Sequence, residues 1–70
     1  MPYSFREIER RLTKLGYKIV RQGKGSHVIF SNGQVTFPVP RHSGKDISPG
    51  VERNILKLIG MTSEQFRRFK

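Results

Sequence analysis

The residues best suited to chemistry lie together in Gly23-Lys24-Gly25-Ser26-His27-Val28-Ile29-Phe30, where a glycine-rich basic turn delivers a histidine onto the first residues of an apolar strand. Packing gives no reason for a titratable ring at that point. Glycines allow backbone to approach a ligand closely, Lys24 supplies a cation for phosphate, and histidine is the side chain whose unperturbed pKa lies nearest neutrality. The combination points to binding or chemistry at a phosphodiester.

RNA carries a nucleophile beside every scissile phosphate, its own 2′-hydroxyl. A catalyst must therefore deprotonate that hydroxyl, stabilise charge on the phosphate and protonate the leaving 5′-oxygen. One placed histidine serves either proton step, and such general acid–base help is typically worth about 10² to 10⁴ in rate. Cations for the phosphorane are available in Lys24, Arg21 and Arg41, and the Gly25 and Ser26 amides are placed to donate to a phosphate oxygen. The five carboxylates are scattered, with no cluster of magnesium-ligand character, so the expectation is metal-independent cleavage without a cofactor, ending in a 2′,3′-cyclic phosphate. His42 is open to three readings: a second acid–base group, a phosphate donor, or a loop hydrogen bond. A zinc pair of His27 and His42 lacks a third ligand at suitable spacing, and Ser26 as a nucleophile lacks an acidic orienter. A histidine at a strand start is by itself more often an ordinary surface residue, so a non-catalytic RNA-binding module is the alternative.

Charge supports a polyanionic partner. Fourteen Lys and Arg against five Asp and Glu give a formal charge of +9 in 70 residues, a field that favours nucleic acid through counterion release. An anionic membrane surface, an acidic protein or a merely solubilising surface would use the same field. Seventy residues make one small domain, taken here as residues 1–70. The absence of cysteine excludes disulfides and thiolate zinc sites and suits a reducing cytoplasm. No apolar run approaches the ~18 residues of a membrane span, and the N-terminus lacks the apolar core of a signal peptide.

Local signals mark the elements that must position these groups. Ser4 and Glu7 form a capping box, with Tyr3 and Ile8 as a hydrophobic staple, and Phe5, Ile8, Leu12 and Leu15 give a helical apolar stripe that Gly16 ends. The opposite face carries Arg6, Arg10 and Lys14 beside a Glu7–Arg11 pair, a row that is a solvated face or an RNA-backbone contact. Tyr17–Arg21 reads as a first strand, His27–Ser31 as a second ending at the hairpin signal Asn32-Gly33, and Val35, Phe37 and Val39 as the buried face of a third, which Pro38 places at a sheet edge. Alternation puts Val28 and Phe30 on that buried face, and His27 and Ile29 on the other. Pro40 to Lys45 is a loop. Ser48-Pro49 caps a second helix with Val51, Ile55, Leu58 and Ile59 as its apolar stripe and Gly60 as its stop. Thr62 and Gln65 form another capping box, opening a short basic terminal helix.

The predicted architecture is α+β, a two-layer sandwich of order α-β-β-β-α with a short C-terminal helix, in which both helices cover one sheet face. The double-stranded-RNA-binding domain has this order and reads RNA shape through its helices and the turn between its first two strands.

Across most of the chain the spaced residues also resemble the HicA toxins of bacterial toxin–antitoxin systems. The matching pattern is Leu12 and Gly16-Tyr17, then Arg21, Gly25-Ser26-His27 opening a strand, Val39-Pro40-Arg41-His42, Gly50, Ile55-Leu56 and Gly60. The resemblance implies a ribosome-independent mRNA interferase with a double-stranded-RNA-binding-domain-like fold, in which the histidine of the Gly-Ser-His motif, His27, is catalytic. It also implies a cognate HicB antitoxin that binds the toxin and masks its active site. The toxin alone is expected to be monomeric, and a basic adaptor with no RNA role is the reading with least support.

Overall fold

A computed structural model describes residues 2–41 and 46–69. The loop histidine His42 lies outside the described residues. Helix α1 (Phe5–Lys14) starts on the predicted capping box: the Ser4 hydroxyl accepts from the Glu7 N–H at 3.2 Å, and the Glu7 carboxylate accepts from the Ser4 N–H at 2.9 Å. Gly16 adopts φ +94°, and the Tyr17 N–H closes the helix end onto the Leu12 carbonyl at 2.9 Å. An L side chain is disfavoured in that left-handed backbone, so glycine here turns the chain directly into the sheet.

Strands β1 (Lys18–Gln22), β2 (His27–Ser31) and β3 (Thr36–Pro40) form one antiparallel sheet in the order β1-β2-β3. The first strand begins one residue later than predicted because Tyr17 is spent on the helix end and buries its ring against Phe37, with centroids 5.5 Å apart. The β2–β3 connection is also wider than the Asn-Gly signal suggests. Asn32 Oδ1 accepts from the Gln34 and Val35 amides, at 2.9 and 2.8 Å, so residues 32–35 form the loop and Val35 falls outside β3. As expected, β3 is an edge strand; Pro38 and Pro40 provide no N–H for further pairing.

Val28, Phe30, Phe37 and Val39 face the helices and join Phe5, Ile8, Leu12, Ile47, Ile55 and Phe66 in the core. Each such fully buried side chain contributes about 1.5–3 kcal/mol relative to exposure. Helix α2 (Pro49–Ile59) is capped by Ser48, whose hydroxyl accepts from the Val51 N–H, and stopped by Gly60 in the left-handed region at φ +71°. Its buried residues are Ile55 and Leu56, whereas Leu58 is 43% exposed. The predicted stripe is thus corrected at one position: the core side of α2 passes through Leu56, two residues before Leu58 and so well round the helix from it.

Helix α3 (Ser63–Arg68) starts on the Thr62–Gln65 capping box and buries Phe66. Its docking explains a second correction. Arg11 does not lie on a solvated face beside Glu7 but is only 8% exposed, with its guanidinium 4.7 Å from the Tyr3 ring centre and 5.8 Å from that of Phe66. Nε donates to the Phe66 carbonyl at 3.2 Å and an Nη donates to the Glu7 carbonyl at 3.3 Å. A guanidinium can be buried here because aromatic faces and carbonyl acceptors replace its water.

Candidate active site

The turn before β2 is organised around His27. The Gly23 N–H donates to the His27 carbonyl at 2.9 Å, and the His27 N–H donates to the Lys24 carbonyl at 3.0 Å, closing the hairpin. Gly25 occupies φ +59°, the backbone conformation that lets the loop reverse within so few residues. Gly23 serves a different purpose. A methyl added there would lie 3.1 Å from Ile29 Cδ1, 3.3 Å from the His27 carbonyl oxygen and 3.4 Å from His27 Cβ, so the bare backbone at 23 lets the histidine settle against the turn.

The imidazole is exposed, and its Nδ1 lies 3.1 Å from the Lys24 carbonyl oxygen. A carbonyl only accepts, so this contact requires a proton on Nδ1. In the neutral ring the Nε2 lone pair is then left as the basic site, and in the imidazolium Nε2 becomes a donor. The backbone thereby selects the tautomer in which Nε2 can remove or return a proton.

Strand register sets where the candidate cations stand relative to this ring. His27 pairs with Pro40, and the next row on the same face is Arg21, Ile29 and Pro38. Arg21 and Lys24 are both exposed, one across the sheet and one in the turn. Arg41 follows the end of β3, where its N–H donates to the Ser26 carbonyl at 2.7 Å and its guanidinium lies 5.2 Å from the centre of the Phe5 ring. The end of β3, the Gly-Ser-His turn and the first turn of α1 are thus fastened together. Of the α1 row, Arg6 stands beside this end, while Lys14 lies about 12 Å further along the axis at 1.5 Å per residue. Arg6, Arg10 and Lys14 are all exposed.

The His27 side chain is exposed. A concavity of about 780 Å³ lies at the other end of the sheet, where Leu15, Tyr17, Asn32 and the α2–α3 junction line it. An open, cation-flanked ring suits a polymeric substrate better than an enclosed small molecule. Among the described residues no group of three or more His, Cys, Asp or Glu is placed to hold a metal ion, and none of their helices is long and apolar enough to cross a membrane.

Sequence reasoning overlooked Lys18. Three residues before Arg21 in a strand, it belongs by simple alternation on the opposite face, but the β1–β2 register shifts between Ile19 and Arg21 and leaves Val20 as an extra residue. Lys18 pairs with Ser31 and Arg21 with Ile29, so both cations share the face of His27. No local sequence signal marks that bulge.

The family model for the HicA toxin of bacterial toxin–antitoxin systems matches residues 5–61. The chain belongs to the HicA toxin family. The match runs from the start of α1 through the Gly-Ser-His turn to the end of α2, and α3 lies beyond it. No curated protein and no solved structure matches the chain. As a HicA-family toxin it has a cognate antitoxin as its implied partner. Its α+β order, with the helices on one face of a three-stranded sheet, is consistent with the double-stranded-RNA-binding-domain arrangement.

Proposed function

We propose that this HicA-family toxin is an endoribonuclease that cleaves mRNA by general acid–base catalysis at His27, independently of the ribosome and of metal ions. The observation that carries the reading is the Lys24 carbonyl on His27 Nδ1, which directs the basic nitrogen Nε2 outward on an exposed face flanked by cations. Nε2 removes the proton from a 2′-hydroxyl, and that oxygen attacks the adjacent phosphorus. The bond to the 5′-oxygen breaks, and the imidazolium just formed returns its proton to the leaving oxygen. The products are a 2′,3′-cyclic phosphate and a 5′-hydroxyl, so atoms and charge balance without an added reactant.

Lys24 and Arg21 take the role of stabilising charge on the phosphorane, with the Gly25-Ser26 backbone as the cradle beside it. Arg41, which the sequence reading grouped with them, is instead held over the Phe5 ring on the helix side of the sheet, and its backbone bond to Ser26 braces the turn that carries His27. The exposed row Arg6, Arg10 and Lys14 draws the polyanion toward the molecule at long range. A HicB-like antitoxin that covers the His27 face would silence the toxin, which acts as a monomer in the cytoplasm.

The test is incubation of purified protein with 5′-labelled mRNA in EDTA, beside His27→Ala. The ring is exposed, so the variant should keep its fold by circular dichroism. Cleavage by the wild type with 2′,3′-cyclic phosphate ends, reduced by at least about 10² in the variant, is expected. Absence of wild-type cleavage, or equal cleavage by the two proteins, refutes the reading.

A further inference from the structure

The bulge in β1 has a consequence for substrate binding. Along β2, His27, Ile29 and Ser31 occupy the sheet face turned away from the helices. Their partners complete three rows: His27 with Pro40; Arg21, Ile29 and Pro38; Lys18, Ser31 and Thr36. The face therefore carries a histidine at one end and two exposed cations along one margin, with successive rows about 6.6 Å apart at two residues of strand rise. Between these groups the face carries the apolar residues Ile29 and Pro38. Ile29 is 9% exposed although it stands outside the helix-side core cluster, and Pro38 lies exposed beside it. At the far row the Thr36 hydroxyl donates to the Ser31 hydroxyl at 2.9 Å, a polar pair beside Lys18.

We propose that this outer sheet face is the substrate track, and that it takes single-stranded RNA: the chain runs from His27 along Arg21 and Lys18, which hold successive phosphates while bases lie over Ile29 and Pro38. The inference rests on the endoribonuclease reading and adds to it a substrate class and a new contact residue, Lys18. The geometry favours a single strand because cations on a single margin follow one backbone, and unstacked bases are free to turn onto the apolar floor. A duplex presents two phosphate backbones with its bases stacked inside, and neither matches the single cationic margin and the floor. In this arrangement Val20, the unpaired residue, is the device that brings Lys18 and Arg21 onto one side. The α1 row Arg6, Arg10 and Lys14 attracts RNA but does not form the track.

The test uses the full chain with His27→Ala to prevent turnover, a fluorescein-labelled single-stranded oligoribonucleotide, and a duplex of about 16 base pairs, with binding followed by anisotropy across a salt series. K18Q/R21Q is compared with R53Q/K57Q, which removes two exposed cations from α2 and so matches the change in net charge. The sheet-face pair should lose roughly tenfold in single-strand affinity, and its log–log salt slope should fall by about 1.4, that is about 0.7 for each phosphate released. The α2 pair should lose no more than about twofold, as expected for a change in long-range field alone. Equal losses for the two pairs, or tighter binding of the duplex than of the single strand, overturn the track while leaving the nuclease reading intact. No RNA binding at any salt overturns both.

Discussion

Gly23 and Gly25 sit two residues apart in one turn, and substituting each by alanine separates two physical effects. Gly25→Ala meets no atom within 4 Å but forces an L side chain into φ +59°; the left-handed conformation costs about 1–2 kcal/mol. Gly23 has no such backbone constraint, and its penalty is steric. The new methyl presses on Ile29 Cδ1 at 3.1 Å, and on the His27 carbonyl and Cβ at 3.3 and 3.4 Å. Ile29 Cδ1 is the end of a rotatable side chain and can yield, but the two His27 atoms belong to or adjoin backbone, so relief requires His27 to move by a few tenths of an ångström. Overpacking of this kind costs about 1 kcal/mol at its lower end. Both variants should therefore lose about 4–8 °C in Tm per kcal/mol in a domain of this size, yet they should differ in chemistry. Misplacement by about 1 Å can cost 10²-fold in rate, which scales to a roughly three- to tenfold loss for Gly23→Ala in single-turnover cleavage under EDTA. The ¹⁵N spectrum of the His27 ring should show a reduced Nδ1–H population in that variant, because the shift moves the ring from the Lys24 carbonyl. Gly23→Ala with wild-type cleavage and a wild-type ring spectrum would refute the positioning argument.

Two further perturbations test the framework around the site. Arg11→Met keeps an unbranched side chain between Tyr3 and Phe66 but removes both hydrogen bonds and the charge over the rings; chemical denaturation should report a loss of about 2–3 kcal/mol, with the near-ultraviolet tyrosine signal altered. Glu7 has its pKa held below the ordinary glutamate value of 4.5, chiefly because its carboxylate accepts from the Ser4 amide and also because Arg11 and Arg10 are near. Its contribution to stability is full above that ordinary value and disappears as pH falls through the lower folded-state value. Urea midpoints measured from pH ~6 downward should fall less steeply in Glu7→Gln than in the wild type, and parallel curves would contradict this role.

The division between local and long-range information is clear in these elements. Caps, stops and alternation are short-range devices. Ser4-Glu7, Ser48-Pro49, Thr62-Gln65, Gly16 and Gly60 therefore mark the helix ends wherever the chain is read. Alternation along His27–Ser31 likewise places His27 opposite the Val28 and Phe30 face, because a strand repeats every two residues. The helix-side assignments at Arg11 and Leu58 depend on packing partners far away in sequence, and both differ from the local pattern. Arg11 is claimed by Phe66 of α3, 55 residues along the chain, and Leu56 takes the core position that a stripe through Leu58 suggests.

The amino-acid sequence by itself determined the α-β-β-β-α order, the histidine at the start of the second strand, and a basic surface. It carries these because each depends on residues no more than a few positions apart. Only the tertiary structure decided the burial of Arg11 beneath α3, through the Phe66 carbonyl, and the grouping of Lys18 with Arg21, through the bulge at Val20. Burial and facing depend on which distant element packs against a side chain and on how two strands slip past one another, and those quantities exist only once the chain has folded against itself.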